Sequence, residues 1–108
     1  MPIQIIITEG LVTKTDAQQL HHDIAETLLT THDISQNAFF LPNVIGEVLF
    51  VERGLSFAGK EVKDIAIVEL RAPSFTFSEE SQKVKFVERV TDLVHQATKG
   101  RLAIENIW

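Results

Sequence analysis

A proline directly after an initiator methionine is the residue in this chain whose type and position together offer chemistry. Pro2 opens the run Pro2-Ile3-Gln4-Ile5-Ile6-Ile7-Thr8-Glu9-Gly10. Removal of Met1 leaves Pro2 with a secondary amine at the chain terminus. A free α-amino group titrates at about 7.7–8.0, and burial among apolar side chains lowers that value by disfavouring the charged form. Such an amine is a general base poised near neutral pH. With Met1 retained, the same nitrogen is a tertiary amide without useful basicity, and Pro2 only starts a strand.

The remaining chemistry-bearing residues make weaker patterns. His21-His22 and His32 fall on or after a first helix and His95 on a second, without His-Glu-x-x-His or comparable spacing, so no metal site is expected. Glu52-Arg53 at a strand end reads as a surface ion pair. There is no phosphate-cradling glycine motif and no defensible Ser-His-Asp order. The connection 34–43 carries Phe39, Phe40 and Leu41 before Pro42. Aromatics there either dock as a flap on the core or wall a pocket. With Phe50, Phe39 and Phe40 are candidates for an apolar wall that would depress an amine pKa.

These residues must be positioned by elements that the apolar pattern predicts. Ile3 to Thr8 is a short β-branched strand closed by Gly10, with Ile5, Ile6 and Ile7 consecutive, so both of its faces read as buried. Thr13 with Asp16 resembles a capping box, and Ala17, Leu20, Ile24 and Leu28 follow at helical spacing. The cluster Thr30 to Asp33 ends that helix. A second strand runs over 44–53, a loop over 54–63, and a third strand over 65–71, stopped by Pro73. Thr76, Ser78 and Glu79 are N-cap candidates for a second helix with Val84, Val87, Val90 and Val94 on one face. Lys99-Gly100 stops it, and 102–108 reads as a last short strand.

The order is thus β-α-β, loop, β-α-β: an α+β fold of two similar units, about 2–53 and 64–108, within one domain of 108 residues. Right-handed crossovers place both helices on one face of a four-stranded mixed sheet. Two helices cover only one face, yet three strands look apolar on both, so another copy of the chain is the expected cover.

Composition bounds the partners. The apolar fraction of 44% is that of a globular protein, and a net charge of −5 lacks the basic footprint of nucleic-acid binding. No cysteine occurs, which excludes disulfides and thiolate metal sites. No run approaches transmembrane length and no signal pattern opens the chain, so a cytoplasmic address without membrane or nucleic-acid partners is expected.

The start Met1-Pro2-Ile3 with Thr8-Glu9-Gly10 resembles the N-terminus of 4-oxalocrotonate tautomerase and its relatives. The stretch Ser78-Glu79-Glu80-Ser81-Gln82-Lys83, running into Glu88-Arg89-Val90-Thr91-Asp92-Leu93-Val94, is similar to that family's helix signature. The paired β-α-β layout resembles the longer, macrophage migration inhibitory factor-like members of the tautomerase superfamily. The resemblance implies a homotrimer, no cofactor, and an amino-terminal proline as catalytic base or acid. It also implies that Arg71 grips a substrate carboxylate, a task suited to its planar five-donor fork; the other reading of Arg71 is a strand-end arginine paired with a surface acid. The chain departs from the family in three places. Leu11 and Val12 stand where the short enzymes have an arginine, Glu47 stands where an isomerase relative has one, and there is no tyrosine.

The expectation is therefore a cofactor-independent tautomerase or isomerase in which Pro2 moves a proton on a small 2-oxo or enol acid and Arg71 binds its carboxylate or stabilises the developing enolate. Decarboxylation or hydration of a small acid would use the same parts. The rival is a non-catalytic small-molecule-binding or assembly module of the same fold.

Overall fold

In the computed structural model, residues 1–31, 41–72, 77 and 79–108 are described. Strand β1 (Pro2–Thr8) lies at the centre of the main sheet. It pairs in parallel with β2 (Ile45–Val51) and antiparallel with β5 (Ala66–Leu70), giving the order β2-β1-β5. Between β2 and β5 the chain makes a small hairpin, β3 (Phe57–Ala58) with β4 (Glu61–Val62), where the sequence suggested only a loop.

The expected fourth strand shrinks to its end. Residues Ile104–Asn106 form a 3₁₀ turn, and only an isolated parallel bridge, Ala66 to Ile107, joins the sheet. Trp108 nevertheless exchanges two backbone hydrogen bonds with β5, from its N–H to the Ala66 carbonyl and from the Val68 N–H to its own carbonyl, each 2.8 Å.

Helix α1 (Lys14–Thr31) starts as its capping residues dictate. The Asp16 N–H donates to Thr13 Oγ1 at 3.1 Å while the Thr13 N–H donates to Asp16 Oδ2 at 3.4 Å, so two otherwise orphaned donors are satisfied. Helix α2 (Glu80–Ala97) is capped by Glu79, whose N–H donates to Gln82 Oε1 at 3.3 Å. At its end Lys99 and Gly100 both take positive φ, and the Gly100 N–H reaches back to the His95 carbonyl at 3.0 Å. That geometry closes the last turn and needs glycine's freedom at position 100. The N-cap candidates Thr76 and Ser78 lie outside the described residues.

Strand periodicity sorts β1 into two faces. Ile3, Ile5 and Ile7 are almost fully buried, in one core with Leu20, Ile24 and Leu28 of α1 and Phe86, Val90 and Val94 of α2. Each such isoleucine contributes about 1.5–3 kcal/mol by leaving water. Both helices lie on this face. On the other face Pro2, Gln4 and Ile6 carry no helix, and they are exposed or half-buried. Strand β2 is more open still: Ile45 is 60% and Leu49 44% exposed. The double-faced apolar character of the sequence is thus half satisfied by the chain itself.

Candidate functional site

The register of β1 with its neighbours decides what surrounds Pro2. Directly paired residues point to the same face, so the open face carries Pro2 with Ile45, then Gln4 with Glu47 and Glu69, then Ile6 with Leu49 and Ile67. One position beyond β5, the Arg71 N–H donates to the Pro2 carbonyl at 3.0 Å. Arg71 thereby becomes the cross-strand neighbour of Pro2, although the two lie far apart in sequence. Around them is a cavity of about 240 Å³ lined by Pro2, Gln4, Ile45, Glu47, Glu69 and Arg71, with the backbones of Ile3 and Gly46 as floor.

Arg71 is not idle there. Its Nε donates to Glu69 Oε1 at 3.3 Å, an ion pair between side chains that are 73% and 46% exposed. An exposed pair of this kind contributes little to stability, so Glu69 holds the guanidinium in place at small cost to a ligand that displaces it. Among the described residues Glu47 has no ion-pair partner. The cavity thus holds one cation and two carboxylates, with Gln4 between the carboxylates.

Pro2 sits at the rim with its nitrogen bonded to Met1. The Met1 ammonium donates to the Asn43 carbonyl at 2.9 Å, and the methionine side chain packs against the core. Pro2 itself is exposed in the single chain. The apolar burial expected to depress an amine pKa at this position is therefore not supplied by one chain alone.

The expected aromatic wall divides. Phe39 and Phe40 lie outside the described residues. Phe50 pairs with Ile7, five positions along β2 from the partner of Pro2 and on the helix-side face, and it does not line the cavity. Strand alternation explains this: an odd displacement from Ile45 sends a side chain to the opposite face.

Beneath the floor lies a residue that the sequence marked only as a helix-face histidine. The His21 ring of α1 packs where a side chain at Gly46 would stand; a Cβ there would run into the ring and would meet the Ile3 carbonyl oxygen at 2.9 Å. Among the described residues, buried His21 Nε2 has no hydrogen-bond partner. Its pKa is lowered, first by burial and then by the neighbouring charge of His22. No group of His, Asp, Glu or Cys able to hold a metal ion occurs among the described residues, and no helix among them is long and apolar enough to cross a membrane.

Sequence reasoning missed Gln4, Ile45 and Glu69 as cavity residues and met Glu47 only as a departure from a family pattern. A signal was present. Gln4, Glu47 and Glu69 are polar residues within largely apolar strands, and strand register decides that they meet on one row.

No family model matches the sequence, and no curated protein matches it. Solved structures do match in fold. A macrophage migration inhibitory factor-like protein from Entamoeba histolytica superposes with a TM-score of 0.75 at 12% identity, over 99% of this chain and 82% of that one. A fused 4-OT symmetric trimer gives 0.74 at 14% identity, over 99% and 80%. Malonate semialdehyde decarboxylase, described with decarboxylase and hydratase activities, gives 0.63 at 12% identity, over 99% and 79%. The chain shares the α+β fold of these 4-OT and macrophage migration inhibitory factor-like structures, the fold that the sequence resemblance implied.

Proposed function

We propose that this chain is a cofactor-independent tautomerase or isomerase acting on a small 2-oxo or enol acid, with Pro2 as the proton-transferring group once Met1 is removed. The observation that carries this reading is the pairing of Pro2 with Arg71 at one cavity. Pro2 and Arg71 are cross-strand neighbours lining one small cavity, which supports a base and a carboxylate-binding fork acting on one small molecule. The Pro2 amine takes a proton from the carbon beside the substrate carbonyl, and the electron pair moves towards the carbonyl oxygen as an enolate. Arg71 binds the carboxylate or that oxygen, leaving Glu69 to do so. The proton then returns to a different atom of the substrate.

In this reading residues 1–108 are one domain of two related units, about 2–53 and 64–108, and the protein works as a homotrimer. The apolar side chains of Ile45, Leu49 and Phe50 on β2, of Leu55, Phe57 and Val62 in and beside the hairpin, and of Trp108 support association, because they are exposed in the single chain. Light scattering of the purified protein tests it, and a mass near 12.1 kDa at micromolar concentration contradicts it.

The rival is a binding or assembly module of the same fold without catalysis, in which Met1 is kept and Pro2 only starts a strand. Intact mass separates the two. Protein lacking Met1 that exchanges the C3 protons of a 2-oxo acid with solvent deuterium supports the enzyme; absence of exchange in that form supports the module.

A further inference from the structure

The cavity beside Pro2 holds more negative than positive charge, and that limits what it accepts. Glu47 and Glu69 flank Gln4 in direct register on the open face. With strands about 4.8 Å apart, their backbones stand about 10 Å from each other, one on each side of a molecule lying over Gln4. Arg71 is the cation lining the cavity, and Glu69 already engages it.

A substrate carboxylate that takes Arg71 releases Glu69 from its partner. The site then contains two free carboxylates and a fully compensated arginine. A second substrate carboxylate extending along the row towards Gln4 meets repulsion from both sides and finds no cation among the described residues lining the cavity. A methyl, methylene or positively charged end meets none. Ile45 on the same rim supplies apolar contact for an alkyl tail.

We propose that Glu47 and Glu69 are specificity-determining residues that exclude dicarboxylates, so that the substrate is a monocarboxylate 2-oxo acid or its enol with an uncharged or cationic far end. This rests on the reading of Pro2 and Arg71 given above. The proton step is unchanged: the C3–H bond breaks, its electron pair forms the C2–C3 double bond, the carbonyl oxygen becomes the enolate, and the amine holds the proton until it returns.

The test compares two probes of equal length, 2-oxohexanoate and 2-oxoadipate, which differ in a terminal methyl against a terminal carboxylate. Deuterium exchange at C3 is followed by NMR with protein lacking Met1, with Glu47→Gln, Glu69→Gln and the double variant, each checked for its fold by circular dichroism. The parent is expected to favour 2-oxohexanoate in kcat/KM by about 10-fold or more, the order set by one like-charge contact partly screened by water. The double variant is expected to lose that preference by raising the rate on 2-oxoadipate. Equal ratios in parent and variants, or a parent that prefers 2-oxoadipate, overturn the proposal.

Binding of the inert acids hexanoate and adipate, read from backbone amide shifts at Ile45, Gly46 and Arg71, separates the two layers of inference. Hexanoate binding tighter than adipate in the parent, with the gap closed in the double variant, upholds the charge selection even when no exchange occurs; that outcome defeats only the proton transfer. Equal or absent binding of both acids to every form, together with no exchange, overturns the selection as well.

Discussion

At the Thr8 end of β1 the polar groups are tied to one another, whereas at the Pro2 end they are left with capacity to spare. Thr8 is buried, and its hydroxyl accepts from the Ile65 N–H at 3.0 Å and lies 3.0 Å from Ser56 Oγ. Next to it the Glu9 N–H donates to the Val51 carbonyl at 2.8 Å, and Arg53 contacts both Glu9 and Asp64. These bonds join β1, β2 and the segment entering β5. At the other end a cavity takes the place of such ties, and its arginine is held by a single exposed carboxylate. The contrast teaches where to look for function: satisfied polar groups hold a fold, and loosely held ones facing a cavity are available to a ligand.

The sharpest way to break this contrast is at the terminus. Protein that keeps Met1, or that carries one extra residue before Pro2, is expected to lose about 10²- to 10⁴-fold in C3 exchange on a 2-oxo acid, the usual share of a general base. Its melting curve should stay close to that of the Met1-free form. Identical exchange rates in the two would remove Pro2 from the chemistry.

Arg71→Ala follows in size. We expect a loss of about 2 kcal/mol in kcat/KM on acidic substrates, the low end for truncating one partner of a hydrogen-bonded charge pair, because the side chain is 73% exposed and screened by water. An uncharged enol should be affected much less. Equal losses on both substrate types would mean that Arg71 acts other than on a carboxylate.

The tied end should respond in stability rather than in turnover. Thr8→Val leaves the Ile65 N–H without its acceptor and is expected to cost about 1–3 kcal/mol in denaturant unfolding. Exchange by the folded variant should match the parent. A large drop in turnover with unchanged stability would erase the distinction between the ends. Gly46→Ala should also cost about 1–3 kcal/mol, since a methyl group must displace the His21 ring and crowd the Ile3 carbonyl.

The smallest effect concerns His21 itself. Its folded pKa lies below the ordinary 6.5 because burial disfavours the charged ring. Between those two values the unfolded chain binds more protons than the folded one, so acid favours unfolding. The contribution is fully present above about pH 6.5 and is lost as pH falls towards the folded value. Urea midpoints at pH 7.5 and 5.5 should therefore differ by more in the parent than in His21→Asn. Parallel pH dependence in both proteins would show that the ring titrates normally.

Local rules read well from the sequence in several places. The Thr13–Asp16 cap, the Glu79 start of α2, the Lys99-Gly100 stop and the core stripe of α1 all follow from interactions within one turn of chain. Where contacts are distant, the sequence was less complete. The hairpin over 57–62 rests on two short pairings about the two-residue turn Gly59-Lys60, too little apolar pattern to mark strands, and the last strand gave way to a 3₁₀ turn. Phe50 was counted toward the site by its apolar character, but one step of strand alternation put it on the other face.

By itself, then, the sequence determined the order of the three long strands and two helices, the buried row Ile3-Ile5-Ile7, and the chemistry that Pro2 offers once Met1 is gone. Those depend on residue type and on periods of two or 3.6, which any short window contains. Tertiary structure alone decided that Arg71 stands beside Pro2 and that Glu47 and Glu69 meet across Gln4. It also put the His21 ring behind Gly46. Such neighbours are set by strand order and register, which are fixed only when distant apolar surfaces find their common core.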